Sequence, residues 1–458
     1  MKYTIVCLSI LLSTFSGIAQ KKGEKDAPKQ SSLSGMSFRS IGPALVSGRV
    51  IDLAVNSNNH DEFFVAAASG GVWKTENHGN TFTPVFDGQG SYSIGCVSYD
   101  PNNEHTIWVG TGENNNQRSV AYGDGVYKSL NDGKTWKNMG LKTSEHIAKV
   151  IVKPGNSNTI YVAAYGPLWS EGGERGIYQS NDGGETWDRI LHVSENTGFS
   201  DLWMDPKNTD VMYASAHQRR RHVWTYPSGG PESAVYKTTD GGKNWRKIMS
   251  GFPKSDLGRI ALAVSPANPD VIYAMVEGFD NEHGGFYRSD NMGESWNRQS
   301  DYFTSGNYYV ELIPDPLDEN KVFSMDTWLH HTEDGGKTFK KSGEKSKHVD
   351  NHAMWINPDN TNHWLVGCDG GLYETWDAAS NWQFYQNLNL TQFYRVAVDY
   401  DEPFYNVYGG TQDNNTIGGP SRTTNAHGIS NFDWYITRGG DGFEPAVDPT
   451  NADIVYSQ

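Results

Sequence analysis

The chain has 458 residues, with 38 basic and 54 acidic side chains and a formal net charge of −16. This acidic balance argues against a nucleic-acid or anionic-membrane partner, because phosphate binding depends on Lys and Arg. The 50 glycines and 15 tryptophans indicate many turns and many large aromatic side chains. The length leaves room for one large domain or for two to three ordinary ones.

The N-terminal segments are predicted to lie outside any folded domain. Residues 1–19 combine an early lysine, a short apolar run and small residues, which predicts a signal peptide. The protein is therefore expected to be secreted, periplasmic or at the cell surface, with no membrane span. Residues 20–35 are polar and predict a flexible leader. After cleavage only Cys96 and Cys368 remain, too few for a disulfide framework, so two buried free thiols are expected.

A ten-residue motif recurs through the rest of the chain, and we call its copies the repeat turns. The clearest copy, YQSNDGGETW, occupies Tyr178–Trp187. The seven copies end at these aromatic residues: Phe82, Trp136, Trp187, Trp245, Trp296, Phe339 and Trp382. A second motif, exemplified by VKPGNSNTIYVAAYG from Val152, precedes the repeat turns by about 25 to 40 residues.

The repeated unit predicts the fold. Each unit contains four strand-length segments that are rich in Val, Ile, Tyr and Trp and bounded by Gly, Pro, Asn and Asp. No window has the period of a long helix. Four antiparallel strands repeated in this way predict an all-β fold, a β-propeller of four-stranded antiparallel blades. We predict seven complete blades, a degenerate eighth and a truncated ninth.

The repeat turns match the pattern S-x-D-x-G-x-T-W, the Asp-box. Asp or Asn in such a turn can hydrogen-bond the turn backbone, and Gly adopts dihedral angles that other residues resist. The final aromatic residue can bury a large apolar surface between blades. We therefore predict structural roles, and no catalytic ones, for the third-position side chains: Asn77, Asn131, Asp182, Asp240, Asn291, Asp334 and Asp377.

Strand order predicts two different faces. The loops between first and second strands share one face with the repeat turns, and these loops are short. The loops between second and third strands lie on the opposite face and are long and irregular. Binding residues concentrate on long loops held by a rigid scaffold. We call this the long-loop face and define it by residues 110–125, 164–176, 217–233 and 277–285.

The long-loop face and the start of the eighth unit supply the candidate site residues. Weak catalytic candidates are Glu113, Asp124, Asp369 and Asp413. Candidate binding residues are Asn114, Asn115, Arg118, Trp169, Arg219, Trp224, Gln412 and Asn414. Aromatic, amide and carboxylate groups together suit sugars or extended peptides, although a solvated rim would have a similar composition. No cofactor is expected.

One stretch raises the question of a metal. KHVDNHAMW could place His348 and His352 on one side of a strand, as metal ligands often are. No third ligand is evident near them, so we predict no metal site.

These motifs resemble a known group. The Asp-boxes, the DPxNxxxIYVAA-type segments and SFRSIGPALVSGRV at 37–50 resemble secreted bacterial Asp-box (BNR) repeat proteins of the sortilin-like and xyloglucanase-like glycosyl hydrolase superfamily. The resemblance covers residues 36–458. It implies either a ring that binds peptide segments, as in sortilin-like propellers, or paired propellers that cut glucan with two Asp residues. Ala68 occupies the place of one such Asp, which puts that catalytic acid in doubt.

Two domain organisations stay open. Residues 36–392 are predicted to form a seven-bladed propeller. Residues 393–458 are either the start of a second propeller or further blades of a larger ring.

Two functions also stay open. The first is binding of a polysaccharide or peptide on the long-loop face. The second is hydrolysis of a β-glucan, with carboxylates from the long-loop face and from a second propeller that is absent from this chain. A glycoside hydrolase predicts two buried carboxyl groups about 5 to 9.5 Å apart. A binding module predicts aromatic and amide groups, with the carboxylates exposed or paired.

Overall fold

The computed structural model describes residues 36–43, 45–117, 120–279, 284–305, 307–309 and 311–458. The predicted signal peptide and flexible leader lie outside these residues. Residues Ile41–Gln458 form one compact unit, to which the following description refers. Within the described residues, no helix has the length and apolar character that crossing a bilayer requires.

The unit is built from antiparallel sheets whose strands pair in chain order, which confirms the predicted all-β fold of four-stranded sheets. The first four sheets are β1 Val50–Val55, β2 Phe63–Ala67, β3 Val72–Thr75, β4 Thr83–Pro84; β5 Ile94–Asp100, β6 Asn103–Thr111, β7 Val126–Ser129, β8 Lys137–Asn138; β9 Ile147–Val152, β10 Ile160–Ala164, β11 Gly176–Ser180, β12 Asp188–Leu191; and β13 Thr197–Met204, β14 Met212–Gln218, β15 Ala234–Thr238, β16 Arg246–Lys247. The next three are β17 Leu257–Val264, β18 Ile272–Gly278, β19 Gly285–Ser289, β20 Asn297–Ser300; β21 Glu311–Pro314, β22 Val322–Met325, β23 His330–Thr332, β24 Lys340–Lys341; and β25 Asn351–Ile356, β26 Trp364–Cys368, β27 Gly371–Thr375, β28 Gln383–Phe384. An eighth sheet contains β29 Phe393–Val398, β30 Asn406–Thr411, β31 Thr416–Pro420 and β32 Tyr435–Arg438, with a 3-10 turn at Asn431–Asp433, and a hairpin follows of β33 Ala446–Asp448 and β34 Asn451–Tyr456.

The core lies between the sheets. Second strands such as β2, β10 and β26 are buried at every position, because each sheet is covered on both sides by its neighbours. Among the described residues, apolar clusters join consecutive sheets from the first to the seventh. Another cluster joins the seventh sheet back to the first through Val50, Phe63, Leu365 and Leu390. Cys96 and Cys368 are buried free thiols, as expected.

Side-chain hydrogen bonds fix the shape of each repeat turn. In the third sheet, Ser180 Oγ donates to Asp182 Oδ1 at 2.7 Å, and the backbone N–H of Gly184 donates to Ser180 Oγ at 2.8 Å. The backbone N–H of Thr186 donates to Asp182 Oδ1 at 2.9 Å. The same three bonds recur in the other six repeat turns. A hydroxyl and an Asp or Asn thus close the turn around a residue of positive φ.

The repeat turns also mark one face of the molecule. Gly183 N–H donates to the carbonyl of Asn158, which lies in the loop between β9 and β10, and an equivalent bond occurs in each of the first seven sheets. The turns therefore lie beside the short first-to-second-strand loops and away from the long-loop face. Trp187 Nε1 donates to the Met139 carbonyl of the preceding sheet at 2.7 Å, so the aromatic residue spans two sheets.

The eighth sheet is attached beside the junction of the first and seventh sheets. Trp434 Nε1 donates to the carbonyl of Ile41 at 3.2 Å, and Thr391 Oγ1 donates to the carbonyl of Pro43 at 3.0 Å. Unlike the inner strands of the first seven sheets, β29 has no fully buried residue. The domain boundary at residue 392 stays a prediction.

Candidate functional site

Hydrogen bonds to backbone carbonyls hold the long loops together on one side of the sheets. Arg219 donates from its guanidinium to the carbonyls of Asn115, at 2.9 Å, and Gly166, at 3.2 Å. The backbone N–H of Arg221 donates to the Leu168 carbonyl at 2.8 Å. Loops 110–125, 164–176 and 217–233 are therefore in mutual contact, as strand order indicates. Arg118 lies outside the described residues, so its predicted binding role stays a prediction.

A buried polar cluster lies beneath this face, and we call it the Arg49 cluster: Arg49, Glu113, Tyr308, His352 and Asp369. Arg49 Nε donates to Asp369 Oδ1 at 2.7 Å and Nη1 donates to Glu113 Oε1 at 2.6 Å. Nη2 of Arg49 also donates to Tyr308, whose hydroxyl donates to Asp369 Oδ2 at 2.6 Å. His352 Nε2 lies 2.7 Å from Asp369 Oδ1. The cluster thereby joins the first, second and seventh sheets and the link that precedes β21.

The charges of this cluster stabilise one another. Burial opposes the charge on Arg49, but Asp369 and Glu113 hold its pKa above the ordinary value for arginine. Burial also acts to raise the pKa of Asp369, but the opposing effects of Arg49 and His352 place that pKa well below its ordinary value. Because Glu113 and Asp369 share one guanidinium, both candidate catalytic carboxylates are already ion-paired.

The other two catalytic candidates have different surroundings. Asp124 Oδ2 accepts a 2.6 Å hydrogen bond from Tyr127, which ties it to its own sheet. Asp413 is exposed, and its backbone N–H donates to Asp441 Oδ1 at 2.9 Å. Desolvation, followed by the negative charges of Asp369 and Asp441, raises the pKa of Asp413. Of the four candidates, Asp413 therefore has the surroundings closest to those of a general acid.

Most of the predicted amide ligands are engaged in holding loops. Asn115 is buried and donates to Glu113 Oε1 at 2.6 Å, whereas Asn114 lies 3.5 Å from the Ala148 carbonyl. Gln412 Nε2 lies 3.4 Å from the Tyr308 hydroxyl, and Asn414 Nδ2 donates to the Asp369 carbonyl at 2.9 Å. A ligand would have to displace these internal bonds to reach the amides.

Arg219 has the surroundings of a structural residue. Its side chain is fully buried, and its guanidinium carbon lies 3.2 Å from the centroid of the Tyr165 ring. The short basic run therefore begins with a residue that clamps neighbouring loops. Arg220, the next residue, forms a 3.0 Å ion pair with Glu171 across two loops.

Two predicted aromatic residues are open to solvent. Trp169 is 48% exposed and Trp224 is 82% exposed, which leaves both indole surfaces available to a ligand. His222 stacks on Trp224 with ring centroids 5.3 Å apart, so the indole has support on one side. The Arg220–Glu171 ion pair ties the loop of Trp224 to the loop of Trp169.

A second group of charged residues, which sequence reasoning missed, lies on four inner strands. Lys149 Nζ of the third sheet is 3.9 Å from Glu311 Oε1 of the sixth, and it also attracts Asp52 and Asp201. Asp52 and Asp201 accept hydrogen bonds from the backbone N–H of the following sheet, at Val97 and Leu262. Burial raises the pKa of Glu311 to about 7 despite Lys149. These strands each carry one charged residue among apolar ones, and nothing in that pattern shows that the charges meet.

The two histidines of KHVDNHAMW form hydrogen bonds with different partners. His352 Nε2 bonds to Asp369, whereas His348 Nδ1 bonds to the Val349 carbonyl at 2.7 Å. Sequence reasoning also missed Arg49 and Tyr308, because isolated Arg and Tyr residues carry no spacing signal. For Arg49 the one hint was its place in SFRSIGPALVSGRV.

Comparisons with known proteins agree with the fold. The family model for sortilin, neurotensin receptor 3 (Sortilin-Vps10), matches residues 175–327. The crystal structure of the GH74 enzyme of Niastella koreensis superposes with a TM-score of 0.50 and 18% identity, over 90% of this chain and 70% of that chain. The chain has a β-propeller fold and is similar to sortilin-like and xyloglucanase-like proteins.

Curated relatives of the propeller fall into the same two groups. Vacuolar protein sorting/targeting protein 10 of Colletotrichum graminicola is 28% identical over 232 residues, which is 46% of this chain and 13% of the relative. The xyloglucanase of Hypocrea jecorina is 22% identical over 403 residues, which is 70% of this chain and 46% of the relative. The chain thus spans less than half the length of these two relatives.

Proposed function

We propose that this propeller binds a polysaccharide on its long-loop face through Trp169 and Trp224. The exposure of these two indoles on loops joined by the Arg220–Glu171 ion pair is the observation that carries the proposal. Aromatic rings offer a large apolar surface with a defined geometry, which suits the apolar face of a sugar ring. The names of the xyloglucanase relatives favour a glycan over a peptide as the ligand.

The pairing of the carboxylates supports binding over hydrolysis. A glycosidase needs one carboxyl group that can give up a proton and another that acts as base or nucleophile. Glu113 and Asp369 are both ion-paired with Arg49, and the lowered pKa of Asp369 does not suit that residue to the role of the acid. This arrangement suits a scaffold that holds loops in place.

Hydrolysis of a β-glucan is the second candidate function, and Asp413 is the residue that favours it. Its raised pKa and its place beside Asp441 are properties of a general acid. A partner carboxylate would then come from a second propeller.

We further propose a location and a domain plan. The predicted signal peptide at residues 1–19 and the xyloglucanase relatives support secretion. The packing of the seventh sheet on the first supports a closed seven-bladed domain over residues 36–392, with residues 393–458 starting another domain.

The binding proposal is tested with the alanine variants of the two indoles. Trp224→Ala and Trp169→Ala should each weaken binding to soluble β-glucans about tenfold, since one such stacking contact contributes about 1.4 kcal/mol. Tyr400→Ala is the control, because Tyr400 is 77% exposed but lies between β29 and β30. Affinity is measured by isothermal titration calorimetry against xyloglucan and other soluble glucans.

Three results would change the conclusion. Unchanged affinity in both Trp variants would refute the role of the indoles. Binding of extended peptides, but of no glycan, would replace the ligand class. Release of reducing sugar that is abolished by Asp413→Asn would favour the hydrolase.

A further inference from the structure

The joint between the seventh and first sheets contains a compact group of two histidines and one glutamate. His78 lies in the first repeat turn, His363 directly precedes β26, and Glu374 lies in β27. Nε2 of His78 is 2.8 Å and Nε2 of His363 is 2.6 Å from the same Oε1 atom of Glu374. Within the part of the chain that the structure describes, this is the one group of three such ligand residues, and its donor atoms lie within 4.8 Å of one another.

At two other joints between neighbouring sheets, a lysine occupies the position that Glu374 occupies in the seventh sheet. The residue before the turn hydroxyl is Lys128 in the second sheet and Lys237 in the fourth. Lys128 Nζ donates to the Gly183 carbonyl of the next repeat turn at 3.0 Å, and Lys237 Nζ donates to the Met292 carbonyl at 2.7 Å. At the joint of the seventh and first sheets, Glu374 stands where these lysines stand.

We propose that His78, His363 and Glu374 bind a divalent transition-metal ion, with Zn²⁺ as the best match. Two imidazole nitrogens and one carboxylate oxygen form a ligand set that is common for zinc in proteins, and a fourth position is then left to water. Both nitrogens already lie close to one carboxylate oxygen, so the three ligands have to move apart only enough for an ion to enter between them.

The surroundings of the ligands match those of metal sites. Asp61 Oδ1 lies 3.0 Å from Nδ1 of His78, and a carboxylate on the far nitrogen orients an imidazole towards a metal. Tyr385 donates to Glu374 Oε2 at 2.7 Å, which leaves Oε1 for the ion. The His363 and Glu374 side chains are 1% exposed whereas His78 is 25% exposed, so the ion and its water ligand have access from the His78 side.

Charge also favours a cation at this site. The two nitrogens of His78 face one oxygen of Asp61 and one oxygen of Glu374. Two acidic side chains beside the imidazoles attract a divalent cation.

Metal binding requires one local rearrangement. Asn357 Nδ2 lies 3.1 Å from Nδ1 of His363, while Asn357 Oδ1 accepts from the backbone N–H of Asp359 at 2.9 Å. When a metal occupies Nε2 of His363, its proton moves to Nδ1, and the Asn357 amide has to turn its oxygen towards that ring. The loss of one exposed bond to Asp359 is the expected structural change.

The test is a metal titration of the full chain after treatment with a chelator. Zn²⁺ should bind with one ion per chain in isothermal titration calorimetry and raise the thermal midpoint. Co²⁺ should give the intense visible absorption of a four-coordinate site. Absence of both the Co²⁺ spectrum and a Zn²⁺-dependent shift at millimolar metal would overturn the proposal, without any variant having to fold.

Variants then locate the site. Glu374→Gln should weaken Zn²⁺ binding at least 100-fold, and Asp61→Asn, at an exposed side chain that bonds to His78, should weaken it about tenfold. His105→Gln is the matched control: His105 contacts Asp132 at 2.9 Å as His78 contacts Asp61, but it belongs to no described three-ligand group. Zn²⁺ binding that survives Glu374→Gln, or that His105→Gln removes, would place the ion elsewhere and refute this site.

Discussion

Removal of the Arg49 guanidinium is the most direct test of how the long-loop face is held. In Arg49→Met the side chain keeps much of its length, but Glu113 and Asp369 lose the cation that they share. All three side chains are at most 4% exposed, so water cannot replace the lost charge. Loss of one partner from a buried ion pair typically reduces stability by about 3 to 5 kcal/mol.

The remaining contacts decide where in this range the value falls. Asp369 keeps its bonds from His352 and Tyr308, and Glu113 keeps its bond from Asn115. We therefore expect the free energy of unfolding to fall by about 4 kcal/mol at pH 7, which is less than the sum for two separately broken ion pairs. Arg220→Met is the control, because its ion pair with Glu171 is partly exposed and should contribute at most about 1 kcal/mol.

The pH dependence of the loss is a second signature. The pKa of Asp369 is lowered in the folded protein, so its stabilising contribution is present above its unfolded value of 3.8 and disappears as the pH falls through the folded value. Without Arg49 the carboxylates can take up protons, and the deficit should shrink between pH 7 and pH 4.

Denaturant unfolding followed by tryptophan fluorescence measures both effects. The triple variant Arg49→Met, Glu113→Gln, Asp369→Asn should recover most of the lost stability, because no buried charge is left unpaired. A loss under about 1 kcal/mol for Arg49→Met, or a loss that is equal at pH 4 and pH 7, would refute the reasoning.

Three further changes probe single positions. Burial raises the pKa of Glu311 to about 7, so ionisation of this residue reduces stability as the pH rises from about 4.5 to 7. Glu311→Gln should therefore be more stable than the wild type by about 1 kcal/mol at pH 8, after solvent screening, and equally stable near pH 4. A thermal midpoint below that of the wild type at pH 8 would contradict this. Ala379→Gly should stabilise the seventh repeat turn by about 0.5 to 1 kcal/mol, because Ala379 has a φ of 70°, and calorimetry that shows a loss would argue against strain there. Gly184→Ala should destabilise by about 2 kcal/mol, because φ is 97° and the new Cβ would lie 2.6 Å from the Trp108 ring; an unchanged unfolding midpoint would show that the ring can move aside.

The fold could be predicted from the sequence because its contacts within each repeat turn are local and the turns recur along the chain. Each repeat turn is closed by side chains at most four residues apart, as with Ser180, Asp182 and Thr186, so the motif contains its own structural explanation. The order of four strands in each unit then separates short turns from long loops without any knowledge of tertiary contacts.

The site could be predicted only in part, because its contacts are distant in sequence. Arg49 and Asp369 are 320 residues apart, and no local pattern shows that they meet. Residue type predicts ligand binding for Asn115 and Arg219, whereas their internal hydrogen bonds depend on the tertiary arrangement of the loops. Trp169 and Trp224 could be selected from the sequence, because the exposure of a side chain on a long loop depends mainly on neighbouring residues in the sequence.

The contact between the first and seventh sheets has a consequence for the kinetics of folding. Val50 and Leu365 lie in one apolar cluster, although more than 300 residues of chain separate them. Such a contact forms late, because the entropy lost on closing a long loop has to be offset by structure that is already in place. We expect the sheets to assemble first into an open stack with apolar surface at both ends, which makes the interval before those ends meet the time at which the chain is most prone to aggregate.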